Sequence, residues 1–452
     1  MALKQMDALA ALREAAGEVI ETSLCDVQGS WLALVNTGEG KRLAFAAKGE
    51  AALSALWKDV EKEADVKDVH VSVMALNANN AALVRRYVKW TAPTACGTKG
   101  ASIGFSDWLG EADAVVAELF GKRQLKPVLV DFTTEDSEAL QRYFVQAVDT
   151  ATWGVLEEGY KEGYGANAAG LKTEEEIVKA LLYGYSMIGF DCCDKIDLGI
   201  EKLSDEAVDK RFEQFNETFR AALHASYLNA EFKVGSSKIT FTENQLHRIV
   251  LEYGEAIMHI QFIYNSYLKN TPWDIDFELD LSKPGKVLTP QEHYLIGNEL
   301  QRNGIKLTAI CLDPLKDADA VNDNLQLHCE IADTFGYRLS FKNADIAMND
   351  TAAAMKYLKG KVHFKMNNVL WLSAVELVKA LDADLFGKLC AACGCEPTAD
   401  AADRALVLGY RKALNPKEEG NVAADMKAFL EAHHAEYAAA IKENVAAKLK
   451  NI

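Results

Sequence analysis

From about residue 125 onward the chain alternates short apolar runs with amphipathic stretches, and no other feature constrains its fold as tightly. The runs are Pro127-Val128-Leu129-Val130, Met187-Ile188-Gly189-Phe190, Ile257-Met258-His259-Ile260-Gln261-Phe262 and Trp273-Asp274-Ile275-Asp276-Phe277, followed by Lys306-Leu307-Thr308-Ala309-Ile310, Tyr337-Arg338-Leu339-Ser340-Phe341 and Val362-His363-Phe364. Helical patterns separate them, and some carry visible starts. Thr289 precedes Pro290 at a first helical position, and Thr173 precedes Glu174, Glu175 and Glu176, carboxylates that a helix N-terminus favours. Strand and helix alternating over about 260 residues fit one parallel (β/α)8 barrel of the TIM type in size and order. A doubly wound open sheet is the rival architecture; the barrel is our reading.

The flanks read differently. Residues 5–22 predict a helix with Leu9, Leu12, Ala16 and Ile20 on one face. Trp31–Val35 and Arg42–Ala46 flank Thr37-Gly38-Glu39-Gly40 as a β-hairpin, and Val69–Met74 reads as a further strand. After residue 386 the strand signals stop and the chain becomes Ala-rich and helical. The predicted organisation is an N-terminal α/β region over 1–120, a barrel over 121–385 that carries the site, and a helical C-terminal extension over 386–452.

Charge narrows the classes of partner. The 452 residues hold 49 Lys plus Arg against 66 Asp plus Glu, a formal charge of −17. Nucleic acid is therefore not expected as a partner, because its binding rests on basic side chains that neutralise phosphates. With 49% hydrophobic and 25% charged residues the composition is that of a globular protein, not a disordered one. No apolar run reaches the eighteen or so residues of a membrane span, so no membrane partner is expected. Nine cysteines, an odd number spread along the chain, fit reduced thiols and a cytoplasmic location.

In a barrel the site lies where the strands end. The residues just past each predicted strand are Asp131, Asp191, Asp280, Asp313, Lys342 and Lys365. Acids mixed with lysines suit a polar, anionic small molecule, although strand ends are polar wherever they meet solvent. Asp191-Cys192-Cys193-Asp194-Lys195-Ile196-Asp197 is the densest polar cluster and reads either as a cation or proton-transfer loop or as a solvated helix cap. Asp274, Asp276, Glu278 and Asp280 alternate with apolar residues, which puts all four acids on one strand face. The glycine-rich stretch Gly97–Asp107 can bring backbone N–H groups to an anion but matches neither the dinucleotide nor the P-loop spacing. Cys390, Cys393 and Cys395 lack a fourth ligand for structural zinc. The absence of His-Glu-x-x-His removes zincin proteases.

Several segments together carry a family resemblance. Gly104-Phe105-Ser106-Asp107-Trp108-Leu109-Gly110 is similar to the Gly-Phe-Gly-Asp-Arg-Leu-Gly signature of the tagaturonate (and fructuronate) epimerase family. The likeness continues, in order, through Trp153–Val155, Glu158–Gly165, Ala166–Thr173, Phe190-Asp191 with Asp194 and Asp197, Pro290–Tyr294 and Val362–Lys365, and spans roughly 95–380. The resemblance implies a barrel isomerase of carbohydrate metabolism that epimerises keto-hexuronates. The chemistry implied is removal and return of a proton, or carbon–carbon cleavage and re-closure, with a divalent metal (Mn, Ni or Zn) as Lewis acid beside a carboxylate or His that moves a proton.

The chain departs from that pattern where a metal would be held. Asn167, Ala169 and Gly170 stand in a segment similar to Ala-Asp-Ala-Asp-His-Leu-Lys, Lys342 in one similar to Leu-His-Ser-Gly-Ser-Asp, and Lys195 in an Asp-His-Val-Asp type loop. Ser282-Lys283-Pro284-Gly285 replaces an acidic-Thr run, Met366-Asn367-Asn368 replaces a Gly-Thr-rich segment, and His363 is the one imidazole left. A protonated lysine repels a cation that a neutral imidazole would bind. The expectation is a degenerate metal site, with metal-dependent epimerisation lost or altered. The residues themselves call for no cofactor, and only His363 remains as a ligand if a metal is retained. Two readings stand side by side: a sugar-acid enzyme with altered chemistry, or a non-catalytic metabolite-binding or scaffold relative. For the first, Asp191, Lys342 and Lys365 are the candidate catalytic residues. Lys99, Ser102, Asp107, Glu158, Asp194 and Lys195 are the candidate contacts to a sugar acid or sugar phosphate. A homo-oligomer stays open.

Overall fold

The computed structural model describes residues 2–49, 53–121, 123, 125–282, 288–315, 318–348, 351–400 and 403–452. Its first helix, Gln5–Ala16, is shorter than the predicted 5–22, because Gly17 takes φ 114° and a Cβ there would lie 2.9 Å from the Asn36 carbonyl oxygen. Ile20 falls instead in β1 (Glu18–Val27), antiparallel to β2 (Ser30–Thr37). β2 and β3 (Gly40–Lys48) form the predicted hairpin, with Thr37 opposite Gly40. With β4 (Val60–Val66) and β5 (Val69–Met74) they make a five-stranded sheet ordered β1-β2-β3-β5-β4. Alternation divides its faces. Ala33, Val35 and Ala44 pack on Ala8 and Leu12 of the first helix, whereas Leu32, Leu34 and Phe45 pack with Val84 and with Leu156 of a barrel helix.

The barrel strands are β6 (Ser102–Phe105), β7 (Lys126–Thr133), β8 (Gly165–Leu171) and β9 (Met187–Asp191). A small hairpin, β10 (Phe232–Val234) with β11 (Ser237–Ile239), interrupts the series. It resumes with β12 (Asp276–Asp280), β13 (Ala309–Leu312), β14 (Arg338–Phe341) and β15 (Val362–Met366). These eight close into one barrel ordered β12-β13-β14-β15-β6-β7-β8-β9, with every neighbouring pair parallel. The predicted (β/α)8 architecture is therefore observed. β6 belongs to the barrel although it lies inside the stretch read as the N-terminal region over 1–120, so the barrel opens about twenty residues before residue 121.

Two sequence readings need correction. Ile257–Phe262 is not a strand but the end of the helix Glu243–Ile263, with Met258 and Phe262 exposed four residues apart on one side. β6 is only four residues long and broken by a glycine, and β8 is built almost wholly from small residues, so neither carried a strand signal. Gly104 is the glycine of β6: a Cβ there would come 3.0 Å from Asp131 Oδ2 and 3.1 Å from the His363 ring. Thr173 and Thr289 cap their helices as predicted, each reciprocated by a glutamate, Glu176 and Glu292.

Beyond β15 the chain is helical, with Ala383–Cys393, Arg404–Ala413, Ala423–Ala432 and His434–Lys448. This tail docks on the barrel: Trp371 donates to the Leu406 carbonyl at 2.9 Å, and Tyr437 donates to the Leu370 carbonyl at 3.2 Å. Among the described residues no helix is long and apolar enough to cross a membrane.

Candidate active site at the barrel mouth

The interior of this barrel is polar from floor to rim. At the floor, Asp276 accepts from the backbone N–H groups of Cys96 and Gly97, at 2.6 and 2.9 Å, which anchors the glycine-rich loop to the N-terminal ends of the strands. Beside it, fully buried Arg338 donates to Ser102 Oγ at 2.9 Å, and Ser102 Oγ lies 2.8 Å from His363 Nδ1. His363 has no solvent exposure, and its Nε2 has no hydrogen-bond partner. Burial, with Arg338 and Lys365 adding to it, holds its pKa well below the usual histidine range, so the ring is neutral.

The middle layer is an ion-pair cluster. Lys365, 2% exposed, bonds Glu278 Oε1 and lies 3.8 Å from Asp131 Oδ1. Glu278 also accepts from Ser340 Oγ, while Asp131 accepts from Asn167 Nδ2 at 2.8 Å and Asn367 Nδ2 at 3.2 Å. Burial raises the Asp131 carboxyl, against the lowering effect of the Lys365 ammonium. Burial alone would lower Lys365, but the neighbouring carboxylates Asp131 and Glu278 outweigh it and keep the amine protonated. One layer higher, Lys342 bonds Asp280 Oδ2. Burial pushes Asp280 up, yet Lys342 wins and holds that carboxyl below its ordinary range; the Lys342 amine is raised in turn against its own desolvation.

Above this lies a cavity of about 380 Å³, a size common for small-molecule sites. All six residues read from strand ends, Asp131, Asp191, Asp280, Asp313, Lys342 and Lys365, line it. The alternating acids of β12 separate as their period requires. Asp276, Glu278 and Asp280 face the interior at three heights, whereas Asp274 precedes the strand and is exposed. Asp191 accepts from the Cys193 N–H at 2.9 Å and lies 3.6 Å from Lys172 Nζ.

The candidate contact residues do not converge in the same way. Lys99 is exposed ahead of β6, and Glu158 ends the helix Phe144–Glu158 ahead of β8, so both stand at the end of the barrel opposite the cavity. Ser102 belongs to the floor. Asp107 is buried in its own loop, accepting from the N–H groups of Gly110 and Ala112 at 2.8 Å, and does not line the cavity. Asp194 and Lys195 point to solvent, paired with Lys172 and Glu255. His363 sits beneath the cavity rather than in its wall. Lys283, Pro284 and Gly285 lie outside the described residues.

Sequence reasoning missed one wall entirely. Leu408, Tyr410 and Arg411 reach the cavity from the tail helix Arg404–Ala413. Tyr410 stacks on Trp108 with ring centroids 3.4 Å apart, and both Tyr410 and Arg411 bond Asp136 just past β7. Trp371 packs behind Trp108, and Met366 is buried at the end of β15; neither lines the cavity. Only one cluster of three close His, Cys, Asp or Glu donors exists among the described residues, His224, Glu243 and His247, and none of its members lines the cavity. Cys390, Cys393 and Cys395 are free thiols.

Comparison with known proteins agrees with this architecture. The chain is 28% identical over 383 residues to the tagaturonate/fructuronate epimerase of Thermotoga maritima, covering 82% of this chain and 78% of the relative. The native crystal structure of the fructuronate-tagaturonate epimerase of Cohnella laeviribosi superposes with a TM-score of 0.85 at 26% identity over 99% of both chains. A glycerol complex of the same enzyme gives 0.86 at 25%, again over 99% of both. The family model described as tagaturonate epimerase matches residues 20–436. A closed parallel barrel, a polar mouth and a match across nearly the whole chain make this protein a member of the tagaturonate epimerase family.

Proposed function

We propose that this chain acts on a keto-hexuronate, or a closely related ketose sugar acid, in the barrel-mouth cavity, with two lysines supplying the positive charge. The observation that carries the reading is that Lys342 and Lys365 both line the cavity and are each seated on a buried carboxylate. A divalent ion does not fit the donors around them. Glu278 and Asp280 are committed to ammonium groups, and His363, the remaining imidazole, lies under the cavity with Arg338 and Lys365 as cationic neighbours. Such charges repel a metal ion. The chemistry is accordingly written with the chain's own residues.

A base takes the proton of the hydroxyl on the carbon two away from the substrate carbonyl carbon; that carbon becomes an aldehyde as the intervening C–C bond breaks, and the bond's electron pair moves onto the ketone oxygen as an enediolate. Fixed ammonium groups aimed at that oxygen stabilise the charge as it forms. Asp131 and Asp191 are the carboxylates placed to accept the proton, and re-closure of the C–C bond on the other face of the aldehyde, with the proton returned to its oxygen, inverts that carbon. Asp131, raised by burial, suits exchange nearer neutral pH than an ordinary carboxylate. Both lysines are held protonated, so neither offers the free amine that a Schiff base needs. Borohydride added with tagaturonate should therefore leave the protein mass unchanged.

The test follows tagaturonate by NMR in D2O with the full-length protein and excess chelator. Fructuronate formation that persists in chelator, and falls about 100-fold or more in Lys342→Met, supports the reading. Turnover that requires Mn²⁺, Ni²⁺ or Zn²⁺ sinks the metal-independent mechanism. Hexuronate binding without turnover leaves the second reading, a metabolite-binding relative.

A further inference from the structure

We infer that the helical insertion between β9 and β12 carries a divalent transition-metal site made by His224, His247 and Glu243, with Asp209 as its outer carboxylate. His224 lies on the helix Glu217–Tyr227; Glu243 and His247, four residues apart on the helix Glu243–Ile263, share one face. One donor atom from each of the three lies within 4.8 Å of the other two. His247 Nδ1 is 2.7 Å from Asp209 Oδ1, so the Nδ1 proton goes to that carboxylate and Nε2 is left with its lone pair. His224 Nε2 faces this lone pair at 2.9 Å. With no cation present, His224 donates a proton into the contact; with one, both Nε2 lone pairs turn to the ion. Two nitrogens on a tetrahedral ion stand about 3.3 Å apart, so its entry opens the contact by only a few tenths of an ångström. Phe212 stacks on the His247 ring at 3.8 Å between centroids and keeps it in plane.

Two imidazoles and a carboxylate select Zn²⁺, Ni²⁺ or Co²⁺ over Mg²⁺ or Ca²⁺. Glu243 is exposed, so water completes the coordination on that side. The ion ties two helices of the insertion together, and metal retained by the purified protein belongs there rather than in the sugar-acid cavity. The assignment stands independently of the reading of that cavity.

Full-length protein stripped with chelator and titrated with Co²⁺ reports the site through visible d–d absorption. The expected result is saturation at one equivalent, with the bands lost in His247→Ala and retained in His363→Ala. Asp209→Asn should weaken binding about 10–100-fold, as loss of an outer carboxylate does. Circular dichroism checks that each variant folds, and Glu243→Gln, at an exposed position, keeps the test decisive if His247→Ala does not. Folded wild type without Co²⁺ bands overturns the assignment. So does binding that Glu243→Gln and Asp209→Asn leave unchanged, or binding that His363→Ala abolishes.

Discussion

The barrel mouth and the helical insertion both gather carboxylates, and they balance that charge in opposite ways. At the mouth, Glu278, Asp131 and Asp280 face the ammonium groups of Lys365 and Lys342. In the insertion, Asp209 and Glu243 face the imidazoles of His247 and His224. A lysine among acids keeps its charge at every working pH and occupies the space itself, whereas an imidazole oriented by a carboxylate presents a lone pair. The same acidic chain thus carries its own cations in one place and leaves room for an external one in the other.

The largest effect should come from removing a built-in cation. Lys365→Met leaves Glu278 and Asp131 buried together without it, and urea unfolding should show a loss of about 3–5 kcal/mol. Adding Glu278→Gln to that variant should recover part of the loss; no recovery would break the ion-pair account. Next comes a buried carboxylate near the mouth that relies on Asn368 instead of a seated ammonium. Burial raises Asp345 from 3.8 to about 6, while its bonds to Asn368 pull the other way. Its folded value lies above its unfolded one. Its contribution is therefore full below about pH 4 and is lost as pH rises to about 6, a difference of about 3 kcal/mol. Asp345→Asn should flatten that part of the stability–pH curve between pH 4 and 6, as unfolding at several pH values will reveal. Gly104→Ala should be smaller, about 1–3 kcal/mol, because a Cβ at that position crowds Asp131 and His363. Lys195→Gln, which breaks only the exposed pair with Glu255, should leave the thermal midpoint unchanged.

Much of the barrel was legible because β7, β9, β13, β14 and β15 carry apolar outward faces whatever their inward faces do. The same logic gave the strand-end residues, since a residue one step past a parallel strand reaches the mouth in any barrel of this kind. β6 and β8 escaped because Gly104, Gly165 and the alanines of β8 make room for their neighbours' polar side chains and have no hydrophobic signal of their own. Lys99, Ser102 and Glu158 were placed by motif likeness alone, which carries no information about which end of a strand a loop joins. The Glu243–Ile263 helix was misread at its end because six mostly apolar residues fit either period. Tyr410 and Arg411 were out of reach for another reason: their partner Asp136 is more than 270 residues away, and no local pattern encodes so distant a contact.

That last contact has a consequence for how the protein is made. The seam between β6 and β15 cannot form until about 260 residues separating them have been synthesised, and the cavity lacks a wall until Arg404–Ala413 follows. A nascent chain therefore completes the cavity only once Arg404–Ala413 has been synthesised. Any chain stopped before residue 404 would enclose a barrel yet leave its mouth open to water on the side of Asp136 and Trp108.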